Sequence, residues 1–202
     1  MKFRMFTILF TFLLCSLNSA EQKLIVMRHG EAENNVQNVY NSSPTSPHYR
    51  VMSLTEKGKH QVQETAAKLK GKGFNNQNIE AVYVSPLPRT RQTAELLAET
   101  GLFSKDKIIV DGRLAETQAG ELEGKPQVPS MSPATSSQFN FESDTQMKAR
   151  LQSFYQALLQ KHQKGHVLAI SHALPSKKLI EIVSEKKANF ALGEAMIIPL
   201  RK

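Results

Sequence analysis

The chain has 202 residues, 40% of them apolar, and a formal net charge of +8. That is enough apolar content for one domain with a sizeable core, while the scatter of the lysines, with no long Lys/Arg run interleaved with aromatics, argues against a nucleic-acid partner. The one cysteine, Cys15, lies in a segment expected to be removed, which excludes a disulfide, a thiol nucleophile and a cysteine-based metal site from the remainder.

Met1 to Ala20 reads as a signal peptide. Lys2 and Arg4 form a basic start, Phe6 to Leu17 is mostly apolar, and Ser19-Ala20 offers a small-residue cleavage site. The apolar run is short for the ~20 residues of a spanning helix, so no stable membrane insertion is expected after cleavage near Ala20. Residues 21–202 are expected to form a single catalytic domain, secreted or periplasmic, as a monomer or weak homodimer. Loss of Lys2 and Arg4 lowers the charge from +8 to +6, a mild attraction for anionic substrates.

Lys23 to Met27 is predicted as the first strand, and it ends abruptly in Arg28-His29-Gly30. A strand carrying that triplet at its carboxyl end sets reactive groups at a sheet crevice, where open α/β folds bind ligands. Arg28 offers a rigid charged fork, His29 a neutral nucleophile or base near pH 7, and Gly30 a sharp turn or close approach. Glu31 to Met52 has no sustained period and reads as a long loop or a broken short helix. Thr55 is the predicted N-cap of a helix to about Leu69. Ala81 to Val84 is the second strand and delivers Ser85. A helix follows from about Arg89 to Thr100, with Arg89 in its first turn, where side chain and helix terminus face the same anion. Lys107 to Val110 is a short edge strand. Gly120 and Gly124 suggest a shaped loop, and residues 127–138, rich in Pro, Ser and Thr, a mobile cover. Met147, Leu151, Phe154 and Leu158 mark a helix over about Ser143 to His162. His166 to Ser171 is a central strand with His172 at its end; a helix over Ala173 to Val183, interrupted early by Pro175, and a strand over Ala195 to Leu200 complete the chain. This alternation predicts an α/β fold, a three-layer α/β/α sandwich with a mostly parallel central sheet.

Four blocks carry the chemistry: Arg28-His29-Gly30-Glu31 with Asn35; Ser85-Pro86-Leu87-Pro88-Arg89, continuing to Ala94; Leu114-Ala115-Glu116 with Gly120 to Gly124; and Ser171-His172. Together, and in this order, they resemble the signature of the histidine phosphatase superfamily, in the branch that includes phosphoglycerate mutases and small phosphatases. The likeness spans roughly Lys23 to Leu200. It implies that His29 attacks phosphorus to give a phosphohistidine, its other ring nitrogen oriented by a backbone carbonyl. It implies further that Arg28, Arg89 and His172 hold the phosphoryl oxygens, that Glu116 protonates the leaving oxygen, and that Asn35 is a phosphate-side donor. His172 would donate best when protonated, and Glu31 takes a supporting place in the loop. No cofactor and no metal ligand are expected. Ala173 stands where the family commonly has glycine, which affects the local substrate wall.

The expected function is an exported phosphomonoesterase acting on a phosphorylated small molecule or cell-envelope component. The short interval from Gly124 to Glu142 and the export signal argue against the alternative of a mutase-type phosphotransferase, which must retain a phosphorylated intermediate. A noncatalytic phosphate-binding protein, the third possibility, would keep the arginines but would not need Glu116.

Overall fold

The computed structural model describes residues 21–128 and 133–201; the predicted signal segment and residues 129–132 of the predicted cover lie outside the described residues. Strands β1 (Lys23–Arg28), β2 (Ile79–Val84), β3 (Ile108–Val110), β4 (His166–Ser171) and β5 (Ala195–Pro199) form one sheet in the order β3-β2-β4-β1-β5. Every neighbouring pair is parallel except β1 with β5, which is antiparallel.

Alternation along the strands explains why both faces need cover. In β1, Leu24 and Val26 point to one face and Ile25 and Met27 to the other; β4 repeats this with Val167 and Ala169 against Leu168 and Ile170. The first face is packed by helices α5 (Asp144–Lys161) and α6 (Ala173–Ser184), through Leu151, Phe154, Leu179 and Ile180. The second is packed by α2 (Glu56–Gly71) and α3 (Pro88–Glu99), through Val62, Ala66, Ala94 and Leu97. The result is the expected three-layer sandwich.

Local signals set the helix ends. Thr55 caps α2 by accepting from the Gly58 N–H, and Ser143 and Gln146 form a reciprocal capping box at the start of α5. Pro175 does not interrupt α6. It occupies the first turn, where its missing N–H would have had no partner inside the helix. The segment after β1 contains one short helix, α1 (Glu33–Gln37), followed by loop, and α4 (Pro133–Gln138) lies in the predicted cover.

The loop after β1 rests directly on the first turn of α2. A Cβ on Gly58 would lie 2.0 Å from the Glu31 carbonyl oxygen, and one on Gly30 would lie 2.4 Å from the Gly58 carbonyl oxygen. Glycine at both positions lets two backbones touch, and this fixes where the chain turns immediately after His29.

Candidate active site

Strands β2, β4 and β1 are neighbours, so their carboxyl ends bring Ser85, His172 and His29 to one crevice. The β1–β4 ladder continues one residue beyond the strand, with the His29 N–H donating to the Ser171 carbonyl at 3.1 Å. The two imidazole rings meet edge to face, their centroids 5.1 Å apart.

His29 Nδ1 lies 2.6 Å from the Gly30 carbonyl oxygen. A carbonyl only accepts, so Nδ1 carries the proton and Nε2 keeps its lone pair. That lone pair accepts from Arg89 Nε–H at 3.2 Å. Burial holds the His29 pKa well below its ordinary 6.5, the charge of Arg89 and, less strongly, Arg28 adds to this, and the Gly30 carbonyl opposes it. His29 is therefore a neutral imidazole with its free nitrogen toward the cations.

Arg89 is fully buried. Its Nη1 donates to Asn41 Oδ1 at 2.8 Å and its Nη2 to the Asn41 carbonyl at 2.9 Å. Both acceptors are neutral, so they fix the guanidinium without cancelling its charge. Asn41 is held in turn by its neighbour: the Ser42 N–H meets both oxygens of Glu123 at 2.9 and 3.0 Å, and Ser42 Oγ donates to Glu123 Oε2 at 2.7 Å. Arg28, on the other side, donates from Nη1 to the Phe190 carbonyl at 2.9 Å.

His172 occupies the N-cap position of α6 without bonding the helix through its ring, whose Nε2 lies 2.8 Å from Ser85 Oγ. Its pKa is pushed well below 6.5 by burial and then by Arg89, which favours the neutral ring while the cleft holds no anion. Nδ1 faces Glu116, 3.7 Å from Oε2. Glu116 Oε1 accepts from the Thr117 N–H at 2.9 Å. Burial raises the Glu116 pKa above 4.5, against the pull of Arg89, the Thr117 N–H and Arg28. The carboxyl is thus biased toward its protonated form.

Arg28, Arg89 and Glu116 line a cleft of about 130 Å³ with Asn35, Asn41 and Ala173; His29 adjoins it through Arg89 and His172 through Glu116. Arg28 Nε and Thr117 Oγ1 in its lining, and His172 Nδ1 beside Glu116, are buried polar atoms without a hydrogen-bond partner. Such atoms are costly to leave unpaired, and together with two arginines they describe a place for an anion. Among the described residues no three His, Cys, Asp or Glu side chains are grouped to hold a metal ion.

The structure brings His29, Arg28, Arg89, Glu116 and His172 together. Asn35 also lines the cleft, and its Oδ1 accepts from the Ala32 N–H at 3.0 Å, which fixes the amide while its donor is Nδ2. Glu31 points away, its carboxylate bonded to Thr55 and Lys57. Ala173 begins α6 in helical conformation, so its methyl forms part of the cleft wall without disturbing the turn. Sequence reasoning missed Asn41, Ser42 and Glu123. Glu123 sits in a block already singled out, between Gly120 and Gly124; Asn41 lies in an Asn/Ser-rich loop with no period, and nothing in the sequence ties it to Arg89.

Comparison with known proteins follows the same lines. The model of the histidine phosphatase superfamily (branch 1) matches residues 24–192. The 2,3-bisphosphoglycerate-dependent phosphoglycerate mutase of Thermoplasma acidophilum is 35% identical over 101 residues, 50% of this chain and 44% of the mutase. A probable phosphoglycerate mutase of Photorhabdus laumondii is 34% identical over 101 residues, 50% of this chain and 40% of that protein. The matched stretch spans less than half the length of these curated relatives. Among solved structures, the alpha-ribazole phosphatase of Shigella flexneri aligns with a TM-score of 0.69 at 20% identity, covering 87% of this chain and 89% of that one. A mycobacterial glucosyl-3-phosphoglycerate phosphatase aligns with a TM-score of 0.66 at 17% identity, covering 87% and 89%. At these identities the structural likeness is one of fold.

Proposed function

The chain belongs to the histidine phosphatase superfamily, branch 1, and from that premise we propose that it is a phosphomonoesterase working through a phosphohistidine on His29. The observation that carries this reading is the neutral His29, whose Nε2 is held by Arg89, an arginine that lines a cleft together with Arg28, Glu116 and Thr117.

In the first half-reaction the Nε2–P bond forms and the bond from phosphorus to the leaving oxygen breaks, while Glu116 gives its proton to that oxygen. In the second, a water oxygen bonds to phosphorus, the P–N bond breaks, and the water proton returns to Glu116. Arg28 and Arg89 supply fixed positive charge for the equatorial oxygens, and His172 donates from neutral Nδ1–H, with Nε2 accepting from Ser85. The charge comes from side chains, so no divalent ion is required in this scheme; activity surviving exhaustive chelation supports it.

Hydrolysis is favoured over mutase chemistry by the lining of the cleft. Arg28 and Arg89 are its cations among the described residues, and both are used on the phosphoryl group, which leaves none for the carboxylate of a phosphoglycerate. Export with cleavage near Ala20 belongs to the same proposal and rests on the composition of residues 1–20; an intact amino terminus held in the membrane would overturn it. The core experiment is rapid quench of the mature protein with a phosphate ester, followed by peptide mass mapping. Phosphate on His29 is expected, and phosphate on another residue overturns the scheme.

A further inference from the structure

Resting on the reading of the small cleft as a phosphate clamp, the geometry points to a second subsite: the neighbouring groove takes the alcohol part of the ester, and takes it as an uncharged group with an apolar face next to the phosphate.

The clamp, at about 130 Å³, accommodates little beyond a phosphoryl group. Thr117, Phe141 and Leu174 line both the clamp and an adjoining groove of about 900 Å³, ample for a group much larger than a triose. In-line attack from His29 places the leaving oxygen on the far side of phosphorus, beside Glu116, and Thr117 follows Glu116 directly into the groove wall. The other hollow that borders the clamp lies behind Tyr40 and Asn41. A leaving group directed there would have to break the Arg89–Asn41 hydrogen bonds at 2.8 and 2.9 Å.

The lining sets the chemistry. At the mouth stand Leu174, 50% exposed, and Phe141, itself packed edge-on against Tyr40. Farther along, charges are largely spoken for: Lys178 pairs with Asp144 at 2.7 Å and Glu181 at 2.8 Å, and Glu142 is held by both arms of Arg150. Lys177 alone among the groove's cations makes no ion pair among the described residues. A carboxylate or second phosphate at the mouth would meet Leu174 and Phe141 and lose hydration there, with Lys177, one turn farther along α6, the groove's one cation without an ion pair among the described residues. An apolar ring or chain there would instead cover an exposed leucine.

Calorimetric titration of the mature protein with three phosphonates tests this: methylphosphonate, phenylbutylphosphonate, and phosphonopropionate, which adds a carboxylate. Phenylbutylphosphonate is expected to bind about tenfold tighter than methylphosphonate, and phosphonopropionate with no gain. In Leu174→Ser the ratio of the first two affinities should collapse toward one, with Leu174→Ala intermediate. An unchanged ratio in both variants, or a gain with the carboxylate, overturns the subsite while the clamp stands. If methylphosphonate itself does not bind, clamp and subsite fall together. If all three behave as expected and no ester is turned over, only the hydrolase reading falls.

Discussion

Arg89 donates its Nε–H to Nε2 of His29 across 3.2 Å, so in the free protein the clamp and the attacking nitrogen are one hydrogen-bonded unit. In the proposed reaction an arriving phosphoryl group would take the place of each as the other's partner. The arginine would then hold oxygen, and the lone pair it had occupied would face phosphorus.

Arg89→Lys keeps a charge but loses both the Nε donor and the fork that grips Asn41. Lysine is a point charge on a flexible stem and cannot reproduce this geometry. Steady-state kinetics on an aryl phosphate should show kcat/KM reduced by about 10²–10³-fold. A loss smaller than twofold would remove Arg89 from the clamp.

His29→Ala and Glu116→Gln should fail in different ways. The first should abolish both turnover and the trapped phosphoenzyme. The second should lower turnover of an alkyl ester by about 10²–10⁴-fold and affect a phenolic ester far less, because a phenolate needs little protonation to leave. Equal losses on both esters would show that Glu116 is not the acid.

Asn41→Asp tests whether neutrality of the Arg89 partner matters. The replacement preserves shape and both acceptor positions, yet sets a carboxylate against the guanidinium and cancels the charge meant for substrate. Inhibition constants for phosphate and vanadate should weaken by about tenfold or more, with little change in melting temperature. Unchanged anion affinity would mean that Asn41 merely fills space.

The pH dependence has a defined sign. Phosphorylation needs His29 neutral, which burial and Arg89 secure well below 6.5, and Glu116 protonated, which burial favours above 4.5. Hence kcat/KM for an alkyl ester should be highest below the raised Glu116 pKa and fall as pH rises through it, and Glu116→Gln should flatten the alkaline fall. Stability moves the other way. The unfolded chain binds protons at His29 and His172 as pH drops through 6.5 while the folded protein does not, so stability is present above that value and lost on acidification below it. Melting temperatures of the Glu116→Gln protein between pH 8 and pH 5, free of the opposite contribution of the raised Glu116 pKa, check this; a rise on acidification there would contradict it.

The fold was legible because its signals are local and periodic. Alternating apolar residues in β1 and β4, the four-three-four spacing from Met147 to Leu158, and the caps Thr55 and Ser143 each act within a few residues. His29, Arg89, Glu116 and His172 stood out because they occupy strand ends, a helix start and a recognisable block. What was not legible lies in contacts between distant segments. Asn41 meets Arg89 across 48 positions and Ser42 meets Glu123 across 81. Pro175 was misread because a proline breaks a helix only beyond its first turn.

The backbone contact between Gly58 and Glu31 sets a limit on engineering. Alanine in place of a helical glycine is a routine stabilising change, worth roughly 1 kcal/mol in helix propensity. At Gly58 the added methyl would sit 2.0 Å from the Glu31 carbonyl oxygen, and the loop would have to retreat, drawing the turn after His29 with it. A thermostability screen of α2 that ignored catalysis would therefore be working against the nucleophile's own support. The helix keeps a weak residue in its first turn because activity and helical strength make opposite demands on the same atom.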